Sequence, residues 1–100
     1  MNRYLAMTTF VAIVETENLT MASKKLDIAP SVINEVLDEL ESYLGTKLLT
    51  FHGGGIRLTI VGRKYFLFCR SILIEIARAE QSVRKISVSS LRPQEAADLQ

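Results

Sequence analysis

Ser31, Asn34, Glu35 and Asp38 stand at i, i+3, i+4 and i+7, a spacing that puts four polar side chains on one face of a helix. Their chemistry is hydrogen-bond recognition. An Asn amide donates and accepts at once and can pair with adenine at N6 and N7, and a Glu carboxylate can accept from a cytosine N4 amine. The competing use of the same groups is a solvated helix face. Lys24, Lys25, Lys47, Arg57, Arg63 and Lys64 can neutralise phosphates, contacts that position a protein without specifying sequence, or serve as ordinary surface charge. Glu35, Asp38, Glu39 and Glu41 can instead dock a basic protein, although Glu39 and Glu41 fit a purely solvating role.

Other chemistries find little support. His52 and Cys69 are the single histidine and the single cysteine, and a catalytic or metal site needs several converging groups. No catalysis, metal or cofactor is expected. His52 reads as a hairpin residue and Cys69 as a small buried apolar residue. Tyr65, Phe66 and Phe68 have the makings of a base-stacking platform, but their helical spacing assigns them to packing. One cysteine cannot form an internal disulfide, so a reducing, cytoplasmic setting is expected. No secretory leader pattern is visible and the apolar runs are too short to span a bilayer.

The 100 residues suffice for one domain plus one extra element, and 48% apolar content supports a core without staples. The net charge is only +1. Up to Tyr65, the cations Arg3, Lys24, Lys25, Lys47, Arg57, Arg63 and Lys64 are matched in number by Glu15, Glu17, Asp27, Glu35, Asp38, Glu39 and Glu41. A nucleic-acid binder of this composition must segregate its charge locally, because phosphate neutralisation supplies most of the affinity.

The elements that hold these groups follow from periodicity. Leu5, Phe10, Ile13 and Val14 predict a first helix ending near Thr16. Thr20 is the expected N-cap of a short helix over 21–26, with Ala22 and Leu26 inward. Asp27-Ile28-Ala29-Pro30 forms a turn, and Pro30 suits the first position of the next helix. That helix carries an Ile33, Val36, Leu37, Leu40, Leu44 stripe and ends at Gly45. Residues 47–51 and 56–58 predict two strands joined through His52-Gly53-Gly54-Gly55, and Thr59 caps a last helix. The last helix is apolar around most of its circumference, with Lys64, Ser71, Glu75, Arg78, Ser82 and Lys85 as a narrow polar stripe and Leu67 and Ile74 extending the apolar surface. We infer that one side covers the domain and another a second copy of the chain. After Val88 the pattern breaks into a Ser-rich connection.

This succession resembles the N-terminal DNA-binding domain of the LysR-type transcriptional regulators over about Leu5 to Ile86. The matching pieces are the Phe10 helix, Leu19 to Leu26, Ala29-Pro30-Ser31-Val32-Ile33, Leu40-Glu41, Leu44-Gly45, Lys47-Leu48-Leu49, Arg57-Leu58-Thr59 and Gly62. The resemblance implies a mainly α, winged helix-turn-helix fold with a two-stranded wing and a long C-terminal linker helix. It divides the chain into a DNA-binding domain over 1–59, a dimerisation helix over 60–88 and an interdomain hinge over 89–100. It implies a bacterial regulator that binds duplex DNA at a promoter as a homodimer, with tetramers formed in full-length family members. A small-molecule effector would act only through a C-terminal domain, so the chain is expected to be a piece of a longer protein.

Carried onto this sequence, the family pattern assigns DNA contact to Thr20, Lys24, Lys25, Pro30, Ser31, Asn34, Glu35, Asp38, Lys47, His52 and Arg57. It assigns dimer contact to Tyr65, Phe68, Cys69, Ile72, Leu73, Ile76, Ala79 and Val83. Three departures stand out. Ala29 replaces a small hydroxyl residue that would cap the reading helix, leaving Ser31 to take over in part. Glu35 occupies a position where the family favours Arg. The wing tip is Gly53-Gly54-Gly55, with Arg57 alone at the common basic position. The acidic reading helix supports a second interpretation, a protein-interaction module on the same fold with weak or no DNA binding.

Overall fold

The computed structural model describes residues 1–90, with the side chains of 1–88. Of the hinge segment expected over 89–100, residues 91–100 lie outside the described residues. Helix α1 spans Arg3–Thr16, α2 Leu19–Leu26, α3 Pro30–Leu44, strand β1 Leu49–His52, β2 Gly55–Leu58 and helix α4 Ile60–Ser90. This is the expected mainly α, winged helix-turn-helix arrangement. The pattern break after Val88 does not stop α4, which runs two residues further.

Each helix has local start and stop signals. The Asn2 side chain accepts the Leu5 N–H at 2.9 Å to begin α1, and Glu17 in the left-handed region (φ 56°) ends it. Thr20 does not cap α2. Asn18 accepts the Met21 N–H at 3.1 Å and takes that place, so the helix begins two residues earlier than expected. Both residues are competent caps, and only the chain's entry angle decides between them. Asp27 (φ 55°) closes α2, and the Ser23 hydroxyl donates back to the Ile28 carbonyl across the turn. Pro30 opens α3, whose preceding residue Ala29 makes no side-chain cap bond. Ser31 does not replace that cap. Gly45 (φ 72°) ends α3, its N–H donating to the Glu41 carbonyl at 2.9 Å.

The core gathers Ala6, Phe10 and Ile13 from α1, Ala22 from α2, Ile33, Leu37 and Leu40 from α3, Leu48 and Leu49 at the entry to the wing, and Cys69 from α4. Leu44 departs from the expected stripe and is exposed at the helix end. Tyr65 lays its ring 5.6 Å from that of Phe10, which fastens α4 to α1. Burial, and then its hydrogen bond with Cys69, push the Tyr65 phenol up to about 12. The unfolded chain therefore loses this proton near pH 10 while the folded chain keeps it. The associated stability is complete below about pH 10 and is lost as pH rises toward about 12. Denaturant titrations at about pH 9 and about pH 11 should show a larger fall for the native chain than for Tyr65→Phe; equal falls would contradict the linkage.

The wing is a two-stranded antiparallel hairpin pairing Leu49 with Leu58, Thr50 with Arg57, Phe51 with Ile56 and His52 with Gly55. Its first strand begins two residues later than the expected 47–51, where Glu41 holds the Leu48 and Leu49 N–H groups, and pairing of His52 with Gly55 extends both strands by one residue at the tip, beyond the expected 51 and 56. His52 and Gly55 close the ladder, leaving Gly53 and Gly54 alone at the tip with φ of +54° and +81°. Two successive positive φ values are the requirement of a two-residue hairpin turn, which glycine meets without steric cost.

Candidate nucleic-acid interface

The buried stripe of α3 fixes what its other side presents. With Ile33, Leu37 and Leu40 turned into the core, Ser31, Asn34, Glu35 and Asp38 are exposed together on the outer face. None of the four has a hydrogen-bond or ion-pair partner among the described residues. No lysine or arginine lies within α3. At the uncapped start of the helix the Val32 and Ile33 N–H groups donate to the Ala29 carbonyl at 3.0 and 3.1 Å, which leaves the Ser31 N–H open to an external acceptor.

Outside α3 the cations divide into two kinds. Lys24 on α2 and Arg57 on β2 are exposed and unpaired among the described residues. Lys25 instead lies 3.5 Å from Glu15, and Lys47 lies 3.4 Å from Glu41. Both lysine ends are well exposed, so these pairs are weak and can open. Thr20, at the start of α2, lines a cleft with Glu17, Asn18, Leu19, Phe51, Gly54 and Ile56. The cleft joins the α1–α2 corner to the wing.

Strand alternation sorts the wing into two faces. Thr50, His52 and Arg57 share the polar one, where His52 Nε2 stands 3.1 Å from Thr50 Oγ1. Leu49, Phe51, Ile56 and Leu58 share the apolar one, which is buried at Leu49 and exposed at Phe51.

Glu41 is the residue whose role periodicity misassigned. It is buried rather than solvated. Its Oε2 accepts the N–H of Leu48 at 2.6 Å and of Leu49 at 3.2 Å, tying the end of α3 to the wing. The clue available in the sequence was its place beside core Leu40.

The dimer assignment also needs correction. Cys69 is fully buried in the core of its own chain, so it is spent on the intramolecular contact, while Tyr65 and Leu73 pack against that core and are half-buried. Phe68, Ile72, Ala79 and Val83 remain exposed, with Ile76 half-buried between them. Among the described residues no group of three or more His, Cys, Asp or Glu could hold a metal ion, and no helix is long and apolar enough to cross a membrane.

Comparison with known proteins follows the same lines. The family described as bacterial regulatory helix-turn-helix protein, lysR family, matches residues 5–63. The HTH-type transcriptional activator AaeR of Escherichia coli K12 is 36% identical over 76 residues, 76% of this chain and 25% of that protein. The solved complex of the CbnR DNA-binding domain with DNA superposes with a TM-score of 0.76 at 28% identity, covering 84% of this chain and 97% of that one. The BenM DNA-binding domain bound to catB site 1 DNA gives 0.80 at 25% identity, covering 84% and 94%. The chain spans about a quarter to a third of the length of the curated relatives it matches.

Proposed function

Because the chain belongs to the lysR family of bacterial regulatory helix-turn-helix proteins, we propose that it binds duplex DNA at promoters as a cytoplasmic homodimer and regulates transcription. The observation that carries this reading is the exposed, unpartnered α3 face of Ser31, Asn34, Glu35 and Asp38, with Lys24 on α2 and Arg57 on β2 as free cations outside that helix. Helix α3 enters the major groove, with α2 crossing the backbone. Lys24, Thr20 and the open α3 start at Pro30 and Ser31 meet phosphates, and the polar wing face of Arg57 and His52 meets the adjacent minor groove. Lys25 and Lys47 join when their exposed ion pairs open.

Helix α4 supplies the second half of the function. Its exposed Phe68, Ile72, Ala79 and Val83, with Ile76, face a second copy, so that two reading helices meet two half-sites. A small-molecule effector and any tetramer would require further domains such as those in longer relatives. The family consists of regulators, and no catalytic step is assigned.

The test is a binding series on random duplex and on the DNA upstream of the protein's own gene, across salt concentrations. Log affinity should fall steeply with log salt, by about 0.9 per neutralised phosphate. Arg57→Ala should weaken binding evenly across sequences and reduce the slope by about 1. No salt-dependent DNA binding, together with capture of a basic protein through Glu35 and Asp38, would instead support the interaction-module reading.

A further inference from the structure

We propose that Glu35 fixes a cytosine in each half-site of the operator, in the same half-site as an adenine read by Asn34. The inference rests on the DNA-binding reading above and adds the base specificity of the same face.

The argument starts from charge. Glu35 is exposed and without a partner among the described residues. Helix α3 offers no cation to neutralise it, and Lys25 and Lys47 pair with Glu15 and Glu41 instead. A carboxylate carried into a groove walled by phosphates is repelled by every sequence. The repulsion is offset only where the DNA supplies a hydrogen-bond donor.

The major groove has two such donors, adenine N6 and cytosine N4. Guanine offers O6 and N7 and thymine offers O4, all acceptors that repel a carboxylate. Adenine sets its N7 acceptor beside the N6 amine, so one carboxylate oxygen is drawn in while the other is pushed away. Cytosine presents N4 with no acceptor of its own beside it. It is the one base whose edge welcomes Glu35.

Asn34 has the complementary character. It precedes Glu35 by one residue and, like it, is exposed. Its amide can meet adenine N7 and N6 together, as donor and acceptor. Both side chains stand on the exposed side of α3, so the two preferences fall within one half-site. Specificity here arises largely by exclusion: Glu35 lowers affinity everywhere except at cytosine.

The experiment is selection of bound duplexes from a randomised pool with the dimeric protein, compared with Glu35→Ala and Glu35→Arg. The native protein should enrich an adenine and a cytosine in each half-site. Glu35→Ala should flatten the cytosine position alone, and Glu35→Arg should move it to guanine. Both changes lie on an exposed helix surface, and circular dichroism verifies the fold. A second measurement leaves the protein untouched: N4-methylcytosine at the selected position keeps its pairing hydrogen but fills the groove-side donor. It should lower affinity on the order of tenfold, whereas 5-methylcytosine elsewhere in the site should not. Enriched sites whose cytosine position is unaffected by Glu35→Ala and by N4-methylation would overturn the inference and leave DNA binding standing. No enrichment of any sequence by the native protein would overturn both.

Discussion

Replacing Gly62 with alanine is expected to destabilise the fold on the order of 3 kcal/mol. A Cβ at this position would stand 2.0 Å from the Leu48 carbonyl oxygen, 2.9 Å from its carbon and 3.1 Å from the Leu48 Cα. All three are backbone atoms, so no side-chain rotation relieves the clash. Leu48 is also held from both sides. Its carbonyl accepts the Thr59 N–H at 3.0 Å and the Thr59 hydroxyl at 3.3 Å, and its N–H is bound by Glu41. The first turn of α4 must therefore lift away from the wing, breaking the Thr59 cap on the Gly62 N–H at 2.9 Å. Gly53→Ala is the control. Its Cβ meets open space and its φ of +54° costs only about 1 kcal/mol. Guanidinium titrations should place the Gly62 variant well below the Gly53 variant; equal midpoints would show that the α4–wing contact is soft.

The fold was legible wherever a local signal had no rival. Pro30, Gly45 and the Ile33, Leu37, Leu40 stripe fixed α3, and the glycine run with Thr59 fixed the wing and the start of α4. Reading failed where two local signals compete or where the partner is remote. Asn18 and Thr20 can both cap a helix, and sequence gives no entry angle. The burial of Glu41 depends on N–H groups seven and eight residues away, beyond any periodic pattern. Helix α4 is apolar nearly all round, so spacing alone could not tell that Tyr65, Cys69 and Leu73 turn inward while Phe68 and Ile72 turn out. For the candidate site, the polar face of α3 was visible as spacing. The division of its surrounding cations into free and paired was not, because the partners Glu15 and Glu41 sit on other elements.

Glu41→Ala is expected to cost roughly 3 kcal/mol, close to the Gly62 effect, for a different reason. The substitution strands the buried N–H groups of Leu48 and Leu49, each worth about 1–3 kcal/mol when left without an acceptor. The ion pair with Lys47 contributes little of this, since the lysine side chain is 74% exposed. Two further variants separate the terms. Glu41→Gln keeps one oxygen where Oε2 now accepts both N–H groups and should lose only about 1 kcal/mol, the difference between charge-assisted and neutral bonds. Lys47→Ala should lose less still. If Lys47→Ala and Glu41→Gln both matched the alanine variant at Glu41, the ion pair rather than the backbone bonds would be the source. The ordering matters for function because Glu41 is the joint between the helix proposed to read bases and the wing proposed to meet the adjacent minor groove. Loosening it leaves every candidate contact residue in place while removing the fixed angle between them. Glu41→Ala should therefore reduce specific DNA binding more than non-specific binding, even at temperatures where the variant remains folded.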